Sequence, residues 1–350
     1  MTAIPTGIQK NRLISELTTF EIGGPARYFA EPDSLEKIKE YASWARQEHI
    51  PLYPIGGGSN ILAGDNGFDG LLLRPNNQTA DIILKTSTQA IVRAGAGLPW
   101  EDLIDLTIEN GWAGLECLTG IPGRVGASPM QNIGAYGQEV SQTIHSIEAL
   151  DINSGELNTI SASECAFGYR TSIFKTAWRG RYIITAVLFR LTPNGQASLQ
   201  YKELRNYFAQ QATPPTLAEV RQAVLNIRSS KAMLHDLSDP NHRNAGSFFL
   251  NPIIEQQRTE ELLKEYPQMP VYPARTGYCK LSAAWLIANS GLHNGFQQGR
   301  AKLSDKHVLC LVNAGNATAE EIMALAQTVQ DMVQKKFAIT LAAETNLLGI

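Results

Sequence analysis

Apolar and polar residues follow two different periods along this chain. A period near 3.6 turns one side of a segment toward a core, and a short apolar run between turn residues marks a strand. Leu35, Ile38, Tyr41, Ala42 and Ala45 fall on one helical face, and Asp33 stands three residues before Glu36, the spacing of a capping box. A second helix opens at Pro99, turns Trp100, Leu103, Ile104 and Leu106 inward, and closes at Gly111. A third carries the stripe Leu217, Val220, Val224 and Ile227 behind a Thr216–Glu219 cap. A short helix is expected over 282–290, with Gly291 as its stop. The last helix turns Ile322, Leu325, Ala326, Val329 and Val333 inward behind Thr318 and Glu321. Strands are predicted at 52–55, 70–74, 90–94, around 143–151 and 182–191, and at 338–342, while 18–30 reads as extended with a tight turn at Gly23, Gly24 and Pro25. Helices and strands are mixed without a regular βαβ alternation, which predicts an α+β module from about residue 20 to about 195. Beyond Pro193 the chain turns polar and bears Tyr201 and Tyr207.

The stretches that fit neither period carry the chemistry. Residues 118–137, LTGIPGRVGASPMQNIGAYG, hold Gly120, Gly123, Gly126, Gly134 and Gly137, with Arg124 as the lone charge. They are too apolar for a linker and too rich in glycine for a core helix. A long surface loop is one reading. The other is a backbone-lined groove for a flat, polar cofactor, because glycine lacks the Cβ that keeps a backbone off a ligand. Residues 53–60, YPIGGGSN, place Gly56, Gly57, Gly58 and Ser59 after a short apolar run. Successive N–H groups in such a turn converge on an anion, commonly a phosphate. The spacing is neither GxGxxG nor GxxxxGK[ST], so neither a Rossmann fingerprint nor a P-loop is supported.

Composition narrows the class. The 350 residues suffice for two or three domains, and 43% are hydrophobic, as in a globular protein. With 18% charged residues and a net charge of −3, no basic field points to nucleic acid. Cys117, Cys165, Cys279 and Cys310 form no CxxC or zinc spacing, which implies free thiols in a reducing compartment. The N-terminus lacks an apolar signal region and no run is long enough to span a bilayer, so a cytoplasmic protein without a membrane partner is expected.

Further candidates lie outside the glycine stretches. Arg170, in FGYRTSIFK at 167–175, is either an ion-pair partner or a donor fork for a substrate carboxylate. The basic residues Arg228 and Lys231 end the third helix, where they compensate its dipole or face an anion. His235, Asp236, Asp239 and His242 match no metal-site spacing and read as solvated loop residues, so no metal is expected. Ser247, in NAGSFFLNP at 244–252, is either a satisfied backbone bonder or a positioned proton donor or nucleophile, and no GxSxG elbow surrounds it. Glu344 stands in a nearly charge-free tail and needs a partner or exposure.

Taken in order, TTFEIGGPA at 18–26, PIGGGSN at 54–60, GIPGRVGASPMQNIGAYG at 120–137, GYRTSIFK at 168–175, NAGSFFLNP at 244–252 and the closing Glu344 resemble the UDP-N-acetylenolpyruvoylglucosamine reductase family across nearly the whole chain. The segment LQYKEL at 199–204 looks like the tyrosine-bearing substrate loop of the family's type I form. The resemblance implies an α+β fold. An FAD-binding module of the vanillyl-alcohol-oxidase and p-cresol-methylhydroxylase type would occupy 1–75 and 76–215, a smaller α/β UDP-sugar domain 216–337, and the tail 338–350 would return to the first region. It implies noncovalent FAD, since the phosphate turn offers Ser59 and the central stretch has no His or Cys. The FAD contacts it implies are Ile55, Gly56, Gly57, Gly58, Ser59 and Asn60, then Gly120, Ile121, Pro122, Gly123, Gly126 and Ala127, then Gln131, Asn132, Gly134, Ala135 and Tyr136.

The family's reaction reduces UDP-N-acetylglucosamine enolpyruvate with NADPH in peptidoglycan precursor synthesis. By resemblance Arg170 and Glu344 stabilise the developing enolate and Ser247 donates the proton. A bare Glu344 anion would oppose the enolate, so it is protonated or acts through Ser247 or a water. Tyr169, Tyr201, Lys231 and Asn251 match substrate-binding positions, and a monomer is expected. One departure stands out: the family's arginine two residues after the glutamate is Asn346 here, leaving one anion contact in doubt. Two other classes remain open, an FAD oxidase or dehydrogenase for a phenol or hydroxy acid and a non-catalytic nucleotide-sugar or flavin binder.

Overall fold

The computed structural model describes residues 3–231 and 233–350. Packing divides the chain into two units. The first comprises Met1–Arg12, Pro25–Gly58 and Phe68–Leu234, and the second Leu13–Gly24, Ser59–Gly67 and His235–Ile350.

In the first unit, strands Pro25–Ala30, Phe68–Leu73 and Leu52–Pro54 run parallel in that order, and Gln9–Leu13 lies beside the first. Helix α1 (Leu35–Gln47) covers this sheet, burying Ile38, Tyr41, Ala42, Trp44 and Ala45 among Tyr28, Leu71 and Leu73. Its cap is Ser34, whose side chain accepts from the Lys37 N–H, while Asp33 pairs with Lys37 at 2.9 Å, so the expected Asp33–Glu36 box is replaced by a simpler cap one residue later.

The second sheet is antiparallel, in the order Leu157–Ser161, Ile144–Asp151, Tyr182–Pro193, Ala90–Gly95, Ala80–Lys85. Helix α2 (Trp100–Glu109) buries Trp100, Leu103 and Ile104 against it. Sequence periodicity does not reveal the edge strand Ala80–Lys85, because every one of its residues is exposed. Its Ile82, Ile83 and Leu84 face solvent, and an irregularity between Ile82 and Leu84 together with Asp81 and Lys85 blunts the open edge.

Short helix α3 (Lys202–Tyr207) and α4 (Leu217–Ser230) complete the first unit. The Thr216–Glu219 box is present, and Leu217, Val220, Val224 and Ile227 are buried. Val220, Val224 and Ile227 pack against Cys117, Tyr136 and Leu204. Arg221 adds a 2.7 Å contact to Glu101 on α2. Both sheets and the chain through α4 to Leu234 fall in this first unit.

The second unit contains α5 (Gln256–Glu265), α6 (Ala283–Asn289) and α7 (Ala319–Phe337) with small sheets. Its core joins Phe20, Ile22, Leu62, Phe248 and Phe249 to Ile322, Leu325, Val329 and Val333 of α7. The expected strand at 338–342 does not form, because Ala338 takes a left-handed conformation that ends α7. The tail strand is instead Asn346–Leu348, parallel to Ile61–Ala63. None of the helices described is long and apolar enough to cross a membrane.

Candidate active site

The two glycine stretches meet within the first unit. A Cβ added to Gly57 would stand 2.7 Å from the Gly123 Cα, one on Gly56 2.8 Å from the Ala127 Cβ, and one on Gly126 2.6 Å from the Ala96 Cβ. The glycines therefore let two backbones dock on each other. The Gly126 N–H donates to the Ala96 carbonyl and the Trp100 N–H to the Gly123 carbonyl, both at 3.0 Å. Among the described residues, the N–H groups of Gly56, Gly57 and Gly58 have no protein acceptor, and Gly58 sits at φ 68°. Such a row of unmet donors on a glycine notch fits a diphosphate, so the residues present fit FAD.

Glu101 fixes where the central stretch begins. Its carboxylate accepts from the Thr119 hydroxyl at 2.6 Å, the Gly120 N–H at 2.8 Å and Arg221 at 2.7 Å. Burial pushes its pKa up, but these donors outweigh it and hold the carboxyl below its usual range. Glu116 is 1% exposed and accepts from the Gly114 N–H, the Gln138 amide and the Ser198 N–H. It thereby anchors the segment leading into Tyr201. Sequence reasoning missed both carboxylates. For Glu116 the available signal was an acidic residue between Leu115 and Cys117.

Arg170 is held at φ 53° by the paired Gly168 and Thr171. Its guanidinium donates to the Gly134 carbonyl, lies 3.5 Å from the Asn132 carbonyl and stacks 5.5 Å from the Tyr169 ring centre. A Cβ on Gly134 would come within 2.9 Å of its Nη1, so this glycine makes room for the guanidinium. Asn132, expected among the FAD contacts, has its side chain engaged by protein: it donates to Glu139 at 2.9 Å and the Gly168 carbonyl at 3.0 Å and accepts from the Ser141 N–H at 3.0 Å. Its side chain thus ties the Arg170 loop to the central stretch.

Tyr136 and Tyr201 meet edge to face at 5.5 Å, and burial pushes the Tyr136 phenol up to about 12. Lys231, the C-cap of α4, contacts both oxygens of Glu203, at 2.9 and 2.6 Å.

Within the second unit, the tail pairs with the segment that follows Ser247. The Glu344 N–H donates to the Phe248 carbonyl and the Leu250 N–H to the Ala342 carbonyl, with Phe249 bridged to Ala343. Ser247 is half-buried, and among the described residues its hydroxyl has no hydrogen-bond partner. The tail is also tied to Asn60, whose carbonyl accepts from the backbone and side chain of Asn346, both at 3.1 Å. Asn346, which stands where an arginine was expected, makes a tail-anchoring contact. Asn251 accepts from the Ala283 N–H at 2.9 Å at the start of α6. Among the described residues no cluster of His, Cys, Asp and Glu could hold a metal ion, and none of the four cysteines forms a disulfide.

Residues 26–161 match the family profile described as FAD binding domain, and residues 239–348 match UDP-N-acetylenolpyruvoylglucosamine reductase, C-terminal domain. Notch and profile together define an FAD-dependent oxidoreductase. The chain is 38% identical over 354 residues to UDP-N-acetylenolpyruvoylglucosamine reductase of Thermobifida fusca, covering 99% of each. It is 41% identical to that of Streptomyces avermitilis, covering 96% of this chain and 94% of the relative. The crystal structure of UDP-N-acetylenolpyruvylglucosamine reductase from Thermus caldophilus superposes with a TM-score of 0.68 at 24% identity, covering 97% of this chain and 99% of that one, which supports the fold. The chain belongs to the UDP-N-acetylenolpyruvoylglucosamine reductase family.

Proposed function

We propose that this chain reduces UDP-N-acetylglucosamine enolpyruvate to UDP-N-acetylmuramate in peptidoglycan precursor synthesis. The hydride chemistry is that of bound FAD, loaded from NADPH and delivered to the β-carbon of the enol ether. Negative charge then develops at the α-carbon and its carboxylate. Arg170, already fixed by two carbonyls and a ring, acts as a preorganised cation for that charge, and such a group stabilises a transition state without reorganising. Ser247 gives its hydroxyl proton to the α-carbon, because an enolate is a strong enough base to take it at hydrogen-bond distance. Glu344 acts protonated or through Ser247, since a bare anion would oppose the enolate.

The observation that carries this reading is the pairing of the Glu344 backbone with Phe248, the residue after a serine whose hydroxyl is not committed to the described residues. The test is spectroscopic. The purified protein should show a flavin spectrum that NADPH bleaches under argon and the enolpyruvyl sugar nucleotide restores. Recovery with oxygen but not with that substrate would favour the oxidase or dehydrogenase class.

Lys231 is the proposed diphosphate contact, in competition with Glu203. Lys231→Ala should raise KM for the sugar nucleotide with little change in kcat or in flavin reduction by NADPH, the signature of lost uniform binding. Glu203→Gln, which relieves the ammonium of its carboxylate, should leave KM unchanged or lower it. Equal KM increases in both variants would mean that the ion pair only shapes the loop.

A further inference from the structure

We propose that Asn244 is the positioning residue of the Ser247 turn, and that it sets the rate of proton delivery by holding the serine in place. The inference rests on Ser247 being the proton donor. Each of the four polar atoms of Asn244 has a partner. Its N–H donates to the His242 carbonyl at 2.9 Å, and its carbonyl accepts from the Thr19 hydroxyl at 2.6 Å. Its Nδ2 donates to the Asn241 carbonyl at 2.6 Å, and its Oδ1 accepts from the Gly246 N–H at 2.7 Å. The residue is 8% exposed and its backbone is bridged to Val312. Ser247, by contrast, is half-buried, and its hydroxyl has no hydrogen-bond partner among the described residues. A fully engaged residue thus stands just before the one hydroxyl that is left for a substrate.

The carboxamide acts as a strap across the turn. The Oδ1 bond to the N–H two residues on is an Asx turn, which aspartate would form equally well. Only an amide can at the same time donate to Asn241, and a carboxylate would set two oxygens against each other. The far end of the strap is itself fixed. Asn241 is 1% exposed, its N–H and side-chain amide donate to Asp239 at 2.8 and 3.0 Å, and its Oδ1 accepts from the Asp305 N–H at 3.1 Å. At the near end Gly246 takes φ 71°, and a Cβ there would meet nothing within 4 Å. This glycine therefore serves the left-handed turn and not a close approach. The turn leads directly into Ser247, and on the other side the Phe248 N–H is bonded to the Leu309 carbonyl at 2.8 Å. The serine backbone is held from both directions. A proton donor needs this, because a misplacement of about 1 Å costs up to roughly 10²-fold in rate.

A turn that merely supports the fold would use the same contacts, so the test is whether Asn244 acts through Ser247. Flavin reduction by NADPH and reoxidation by the enolpyruvyl sugar nucleotide are followed by stopped flow in the holoenzyme. Asn244→Ala and Asn244→Asp are each measured alone and combined with Ser247→Ala. Asn244→Ala should slow reoxidation about 10–100-fold, the scale of a misplaced donor, and leave flavin reduction at the wild-type rate. Asn244→Asp, which keeps the Asx turn and loses the strap, should fall between Asn244→Ala and the wild type. Neither should slow the Ser247→Ala enzyme further, because a positioning effect disappears with the group it positions. If Asn244→Ala does not fold, Asn244→Asp decides alone. Asn244 variants that reoxidise at the wild-type rate, that slow both half-reactions alike, or that slow the Ser247→Ala enzyme by the factor seen with serine present would overturn the positioning role. A Ser247→Ala enzyme that itself reoxidises at the wild-type rate would instead overturn the donor assignment beneath it.

Discussion

Ser247→Ala is expected to leave reduction of the flavin by NADPH nearly intact and to slow its reoxidation by the enolpyruvyl sugar roughly 10²–10⁴-fold, the range for loss of a positioned acid–base group. The first half-reaction needs no proton at the sugar's α-carbon, and the second does. The structure makes this a clean substitution. Ser247 sits between backbone groups held by others: the Gly246 N–H donates to the Asn244 side chain at 2.7 Å and the Phe248 N–H to the Leu309 carbonyl at 2.8 Å. Its hydroxyl gives up no hydrogen bond to a described residue when removed, so stability should change by no more than about 0.5 kcal/mol. Cysteine should recover part of the rate, because a thiol is the stronger acid. Stopped-flow absorbance separates the halves, mixing oxidised enzyme with NADPH and then reduced enzyme with the sugar nucleotide. Reoxidation of Ser247→Ala at the wild-type rate would remove Ser247 as donor and leave Glu344 as the leading candidate.

What the sequence revealed follows from the range of the forces involved. The inward stripe of α7 and the caps of α4 and α7 are local, since residues three or four apart meet on one face, and they appear where periodicity places them. The edge strand Ala80–Lys85 has no buried face to write a period into its sequence. Membership of the units is a long-range property. Leu13–Gly24 and Ser59–Gly67 lie early in the chain yet pack with the second unit, through partners such as Asn313, whose side chain donates to the Phe20 carbonyl at 3.0 Å. The same distance hid part of the site. Glu116 gains its meaning from Gln138 and Ser198, and Glu101 from Gly120 and Arg221. The glycine stretches were legible as sites of close approach, but whether the close neighbour is a ligand or another backbone is invisible until the chain is folded.

That distinction sets the expected behaviour of Gly57→Val. The Cβ would lie 2.7 Å from the Gly123 Cα, 3.4 Å from its carbonyl carbon and 3.6 Å from its nitrogen. A backbone cannot swing aside as the end of a flexible side chain can, and valine adds two methyls in the same place. Relief requires the two glycine stretches to separate. That movement strains the bond from the Trp100 N–H to the Gly123 carbonyl and re-aims the unmet N–H groups of residues 56–58. Overpacking of this kind costs about 1–3 kcal/mol, a fall of several degrees in melting temperature for a domain of this size. Flavin occupancy should fall with it, because the notch is built from the same two backbones. Gly57→Ala should show the smaller form of the same effect, and Gly126→Val should resemble Gly57→Val, since its Cβ would meet the Ala96 Cβ at 2.6 Å. The readouts are flavin-to-protein absorbance after gel filtration and thermal unfolding of both the holoprotein and the flavin-stripped protein. A docking role lowers the melting temperature with and without flavin. If the stripped Gly57→Val and wild-type proteins melt together while flavin retention alone falls, the glycine keeps room for the cofactor rather than for Gly123. Full occupancy with unchanged melting in both states would leave the glycine pairing without consequence.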